Sequence, residues 1–224
     1  MRNFFGAIFA IFWKDIRLEF RSKEIVLAIL VFSLLTIVIF NFALEPTSET
    51  IGFIAPGILW ISFIFGGVLG LNRSFAIENI NNNFQGILLA PISRDSFFFG
   101  KMIANFVFML LVEALVLPIF AVLFNISFPI LNLVLINILA TLGIVTVGTL
   151  FSFIAVNSRA REVMLPVLLL PVSVPIIVGA VQSTGVIFQG GELSEIFVWL
   201  TFLAAFDAIF LVVCPIAFHL AVEE

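Results

Sequence analysis

Four side chains in this 224-residue sequence combine titratable or nucleophilic chemistry with apolar surroundings: Glu113, Asp207, Cys214 and His219. A carboxylate in such a setting could relay protons, a thiol could bind a soft metal, and an imidazole could act as a general base. The counts limit these options. With one Cys and one His in the chain, no intrachain disulfide, CxxC redox pair or thiol–imidazole metal cluster can be assembled. His219 falls near the end of the last apolar segment, and no serine has a base of the right kind to activate it. Gly100-Lys101 is followed by Met102, so the GxxxxGK[ST] phosphate cradle has no match. Intramembrane hydrolysis and redox catalysis are set aside, and the chain reads as a non-enzyme with no metal and no cofactor of its own.

The two acids remain. A carboxylate at membrane depth costs about 2.5–3.5 kcal/mol on insertion scales, so such residues usually face a bundle interior and are functional. No basic residue occurs in any apolar segment to pair with them, which leaves protonation or hydrogen bonding to hydroxyls and amides. Two readings stand side by side. Glu113 and Asp207 couple transport to protons, or they line a substrate path and pack against polar neighbours. The second is preferred, because proton relays need chains of ionisable groups and only two are present.

These side chains are positioned by very apolar elements. Hydrophobic residues make up 62% of the chain and charged residues 11%, with a mean hydropathy of +1.29. A soluble domain runs at about 45–50% and about 25%, and a water-soluble globule of this length could not hide the excess. The composition predicts a polytopic, all-α membrane protein. Six segments are long enough to cross a hydrocarbon core of roughly 30 Å: 25–44, 51–71, 102–124, 130–156, 163–181 and 196–222. The connections 44–50, 125–129 and 182–195 contain no Lys or Arg, whereas the opposite side collects all ten basic residues. The positive-inside rule then places both termini in the cytoplasm. The chain divides into a cytoplasmic N-terminus with an interfacial helix (1–24), a six-span domain (25–222) and a short cytoplasmic tail (223–224).

Before the first span, Phe5, Phe9, Phe12, Ile16 and Phe20 share one helical face at about 100° per residue, with Lys14, Arg17 and Arg21 roughly opposite. The pattern predicts an amphipathic helix over 3–21 in the membrane interface, its cations toward lipid headgroups or a cytoplasmic partner. Glu19 interrupts the apolar face. Segment 72–101 is the only sizeable cytoplasmic connection. It contains a stretch able to form a surface helix, then Pro91, and then Ser93 and Asp95 as cap chemistry for the third span. Ser62, Gly66 and Gly70, four apart, predict close helix packing. Pro171 and Pro175 predict a bend or break in the fifth span, while Pro166 fits its opening turn. Trp13 and Trp199 read as interfacial belt residues, and Trp60, near the middle of the second span, as a packing residue or the wall of a binding site, the first preferred.

Several segments together resemble the CcmB family of ABC-2 type permease subunits of the cytochrome c maturation system. They are Lys14-Asp15-Ile-Arg17-Leu-Glu19-Phe-Arg21-Ser22-Lys23-Glu24, Phe40-Asn41-Phe42-Ala43, Gly57-Ile-Leu-Trp60, Gly70-Leu71-Asn72-Arg73-Ser74-Phe75-Ala76-Ile-Glu78, Leu88-Leu-Ala90-Pro91, Asn157-Ser158-Arg159-Ala160-Arg161-Glu162-Val163 and Ala205-Phe206-Asp207. They run from the N-terminus to the last span. Asn81–Asn83 departs by making the first cytoplasmic segment more polar than the family pattern.

The resemblance implies an ABC-2 permease in the bacterial inner membrane, with a cytoplasmic coupling helix between spans two and three. ATP would be hydrolysed by a separate CcmA-like subunit. Arg73, Glu78 and Arg94 are candidates for its contacts, and the 157–163 loop, with Arg159, Arg161 and Glu162, is either a second contact or a positive-inside anchor. The implied assembly contains two copies of the chain, a CcmC-like haem-handling subunit, a small CcmD-like subunit and a CcmE-like haem chaperone, within membrane lipid and without nucleic acid. Haem is the implied cargo. The outer connections contain no His and no Trp-rich stretch, so haem ligation is expected on a partner. The alternatives are a generic ABC-2 exporter for a lipid, saccharide or drug, a proton-driven carrier using Glu113 and Asp207, and a non-transporting scaffold.

Overall fold

Lys23 adopts a left-handed backbone (φ 58°), and that single residue turns the chain from its first helix into its second. The computed structural model describes residues 2–44, 50–80, 93–126, 130–156, 158 and 160–223; within these, the side chains of 2, 3, 77–80, 130, 131, 161 and 223 are not described. The described residues form seven helices and no strands: α1 (Arg2–Ser22), α2 (Glu24–Leu44), α3 (Ile51–Ile80), α4 (Arg94–Phe124), α5 (Ile130–Val156), α6 (Arg161–Phe188) and α7 (Leu193–Glu223). From α2 to α7, all six are long and apolar enough to cross a membrane.

Local chemistry explains where the helices end. Ser93 caps α4, its hydroxyl accepting from the Ser96 N–H at 3.2 Å, as the sequence predicts. That cap starts the helix at Arg94 rather than at the apolar boundary near Met102, and α3 likewise continues to Ile80. Much of the 72–101 connection is therefore an extension of two spans; residues 81–92, including Asn81–Asn83 and Pro91, lie outside the described set. At its far end α4 stops on Asn125 in the left-handed region (φ 49°), where the Ile126 N–H returns to Ala121 O at 3.0 Å. α6 closes the same way through Gly190 (φ 84°), with Gly191 N–H on Val186 O at 2.9 Å. The prolines of α6 do not break it. The segment is one helix from Arg161 to Phe188, with Pro171 exposed, Pro166 and Pro175 half-buried, and Leu165, Leu169, Ser173 and Ile176 on the packed stripe; membrane helices tolerate interior proline.

α3 and α5 form the interior: 72% of the most apolar window of each is buried, against 17% for α7. α3 packs on α2, α5 and α6, and α5 on α4, α6 and α7. The Ser62–Gly66–Gly70 ladder lies against α2, where Ser33 Oγ donates to Ser62 O at 3.1 Å. A Cβ at Gly66 would stand 2.6 Å from Ser33 Oγ and 3.1 Å from the Ile29 carbonyl. We expect Gly66→Val to destabilise the fold by about 1–3 kcal/mol through forced separation of α2 and α3, read as a lowered unfolding temperature in detergent. Trp60 is a packing residue: it is fully buried, with Nε1 donating to Thr184 Oγ1 at 2.9 Å.

α1 carries three faces where the sequence pattern shows two. Ile11, Asp15, Ile16 and Glu19 are buried toward the bundle. Phe5 (71% exposed), Phe9, Trp13 and Phe20 (74%) form a second, open apolar face. Arg17 and Arg21 are exposed on a third, with Arg17 Cζ 5.2 Å from the Trp13 ring centre. The predicted stripe is thus split, with Ile16 buried and Phe12 half-buried. Glu19, which interrupts that stripe, belongs to the bundle-facing side. α1 crosses α4 at Gly100, where an added Cβ would lie 2.8 Å from Ile11 Cβ.

Candidate functional site

At the end of the bundle where α2 begins and α3 finishes, Arg73 reaches back to Glu24 in the first turn of α2. Its Nε donates to Glu24 Oε2 at 2.7 Å, and Nη2 contacts the same oxygen. An acid in a first helical turn is favoured by the helix dipole, so α2 holds the carboxylate in place for Arg73. Arg73 and Glu162 also line one cleft of about 350 Å³ between α2, α3 and α6, with Asn72 beside them and Phe32, Phe65 and Pro166 forming apolar walls. Two of the sequence-derived candidates, about 90 residues apart, are thereby brought to one place.

Arg94 is not part of that cleft. At the start of α4, its Nη1 donates to the His219 carbonyl at 3.4 Å, placing a cation at the C-terminal end of α7, where the dipole favours it. Glu78 and Arg161 fall within α3 and α6, but their side chains lie outside the described residues, as does Arg159 entirely.

Sequence reasoning missed a second cluster just inside this end. Lys101, 2% exposed, stands 3.0 Å from Asp15 Oδ2, donates to the Ser74 carbonyl at 3.2 Å and lies 5.3 Å from the Phe75 ring centre. Lys14 approaches the other oxygen of Asp15 at 3.2 Å. One buried ammonium therefore ties α4 to α1 and α3, and it is not a surface cation of a cytoplasmic loop. Next to it, Glu19 Oε1 accepts from the Val26 N–H at 2.8 Å, satisfying an otherwise free donor of the opening turn of α2. The available signals were the four-residue spacing of Asp15 and Glu19 and a lysine within helical reach of an apolar run.

Deeper in the bundle, Glu113 (2% exposed) accepts from Thr141 Oγ1 at 2.6 Å. Eight residues earlier on α4, Asn105 Nδ2 meets Thr149 Oγ1 at 3.5 Å, so α4 and α5 share a ladder of polar contacts. Asp207 is buried against a different side of α5: a Cβ at Gly143 would stand 2.7 Å from Asp207 Oδ1 and 2.9 Å from Ile176 Cδ1. Thr141 and Gly143, two positions apart, point about 200° apart on a helix. The acids therefore contact different sides of α5 and do not meet as one relay pair. We expect Thr141→Val to cost about 1–3 kcal/mol by removing the donor to a buried acid, whereas Glu113→Gln keeps an acceptor for Thr141 and changes stability little. Thermal unfolding of both variants checks this.

Comparison with known proteins bears on all of these residues together. The chain is similar to proteins named heme exporter protein B: 28% identical to that of Rhodobacter capsulatus over 96% of this chain and 97% of the relative. It is 24% identical to that of Pseudomonas aeruginosa, covering 92% and 91%, and 27% identical to that of Paracoccus denitrificans, covering 93% and 94%. The family model described as CcmB protein matches residues 6–224. Six apolar helices in a bundle and a match over nearly the whole length agree: this multi-pass membrane protein belongs to the CcmB family.

Proposed function

We propose that the chain is the membrane permease subunit of an ATP-driven complex serving cytochrome c maturation, in which haem is exported or a haem-loaded chaperone released. The observation that carries this reading is family membership over residues 6–224 in a sequence lacking the P-loop pattern. Nucleotide hydrolysis then belongs to a CcmA-like partner. The partner docks on the cytoplasmic end of the bundle in the bacterial inner membrane, with both chain termini on that side. Arg73 and Glu162, sharing one cleft, form the centre of the coupling surface. Arg94, Glu78, Arg159 and Arg161 extend it, and Lys14, Arg17 and Arg21 of α1 flank it. Charge-assisted contacts at such a surface set the partner's register as well as its affinity. Two copies of the chain face two ATPases.

Haem is held by a CcmC-like partner, together with a small CcmD-like subunit, and passes to a CcmE-like chaperone; the outer connections supply neither an imidazole nor an aromatic platform. A permease–ATPase pair free of other subunits that bound haem stoichiometrically through this chain would contradict that division of labour. The coupling reading is tested by co-purification with a CcmA-like ATPase and measurement of ATP turnover. Glu78→Ala is expected to abolish stimulation by the permease while leaving the complex assembled. Unchanged turnover, or reagent access to Arg94 from the outer side alone, would overturn it.

A further inference from the structure

Where α1 meets the first turn of α2, the last turns of α3 and the first half of α4, a pocket of about 20 Å³ adjoins the Asp15–Lys101 ion pair. All four helices line it: Asp15, Glu19 and Ser22 from α1, Ile25 from α2, Ser74 from α3 and Lys101 from α4. The two acids stand four residues apart and therefore share one face of α1. Both are buried, Asp15 to 7% exposure and Glu19 to 5%. Glu19 Oε1 accepts from the Val26 N–H at 2.8 Å. Its other oxygen, Oε2, accepts no hydrogen bond from any described residue. Neither does Asp15 Oδ2, although the Lys101 ammonium lies 3.0 Å from it. A buried carboxylate oxygen without a donor is costly, and here two of them belong to residues lining the same small space.

Size and charge select the occupant. One bound water needs about 10–15 Å³ and two to four polar partners, and the pocket meets both conditions. An organic group is too large for it. A metal cation would stand beside the Lys101 ammonium, a like charge already on Asp15, and an anion would face two carboxylates. Water brings two hydrogens for the two oxygens, and it can accept from the Ser22 hydroxyl at the exposed rim. We propose that this pocket binds one water molecule, which donates to Glu19 Oε2 and Asp15 Oδ2. The bridge completes the polar layer that seats α1 on the bundle, because Asp15 is paired with Lys101 of α4 and Glu19 with the Val26 N–H of α2. Bound water in such a position is part of the structure and costly to remove.

The test is X-ray radiolytic footprinting of the full-length chain in nanodiscs, in which a bound water becomes the source of hydroxyl radical and oxidises the side chains around it. Ile25 and Phe108 line the pocket and are buried. We expect them to be oxidised about tenfold faster than Leu133 and Phe120, which are buried elsewhere, with the signal persisting when a bulk scavenger quenches radicals from free solvent. Ser22→Leu, which fills the pocket from its exposed rim, should abolish that labelling, whereas Ser22→Ala leaves the space and should keep it. Ser22→Leu should also lower the unfolding temperature by about 2–4 °C, because the two oxygens lose their donor. In a Glu19→Gln background the same substitution should cost much less, since the amide keeps Oε1 for Val26 and offers its own N–H to Asp15. Oxidation of Ile25 no faster than that of Leu133 would overturn the proposal, and a proton shared by the two acids in place of water would give that result. So would labelling that survives Ser22→Leu, or a fall in unfolding temperature that is unchanged by Glu19→Gln. Each readout is independent of any ATPase, so its failure leaves the coupling reading standing.

Discussion

Lys101→Met should lower the stability of the fold by about 3–5 kcal/mol, the usual cost of breaking a buried ion pair from one side. The physical reason is the group left behind. Asp15 is 7% exposed, and without Lys101 its Oδ2 loses its ion-pair partner, while the Ser74 carbonyl loses the ammonium that also donates to it. Lys14 sits on the other oxygen of Asp15 and lessens the loss without replacing the contact to α3. The double variant Lys101→Met/Asp15→Leu should regain most of the stability, because desolvating the pair offsets much of its attraction. If the single and double variants are equally destabilised, the ion pair is not what holds α1. Thermal unfolding in detergent gives the first readout and protease access to α1 the second. In the single variant α1 should become cleavable before the spans unfold, since Asp15 anchors the middle of that helix, while the Gly100 crossing and the 3.4 Å contact of Ser96 Oγ with Phe4 O hold its N-terminal half.

This cluster also marks the boundary of what the amino-acid pattern could convey. The six spans were legible because an apolar run of twenty or more residues has few other places to go, and Ser93 was legible as a cap because its chemistry is local. The Ser62–Gly66–Gly70 ladder announced a close contact without saying that α2 would supply it. Depth and partner choice are another matter. A helical projection of α1 separates cations from aromatics, but it cannot tell a face buried in the bundle from one open to lipid, since both favour apolar side chains. Glu19 therefore reads as an interruption of the apolar face until α2 is beside it, and Asp15 has no reading of its own until α4 supplies Lys101. From the sequence Lys101 reads as a surface residue, because charge usually lies there. For Arg73 and Glu162 the residue types were informative but the pairing was not: their shared cleft depends on α3 and α6 lying side by side, a long-range relation that no local spacing encodes.

Arg73→Glu should leave the chain folded and cut permease-dependent ATP turnover by roughly tenfold, the weight of one contact of about 1.4 kcal/mol. The fold survives because Arg73 and Glu24 are each 46% exposed, and exposed pairs contribute only about 0–1 kcal/mol. Reversal removes the cation from a cleft that already contains Glu162 and sets a new carboxylate against Glu24, so a partner acid that docks there meets repulsion. The charge swap Arg73→Glu/Glu24→Arg separates two roles that a single substitution confounds. If Arg73 acts only by tying α3 to α2, the swapped pair re-forms the tie and turnover returns. If Arg73 presents its guanidinium to the ATPase, the swap moves the cation onto α2, restores the intramolecular pair and still fails to restore turnover. The second outcome is expected. On the coupling reading proposed above, the cation projects from α3, which runs on to Ile80, whereas α2 begins at Glu24.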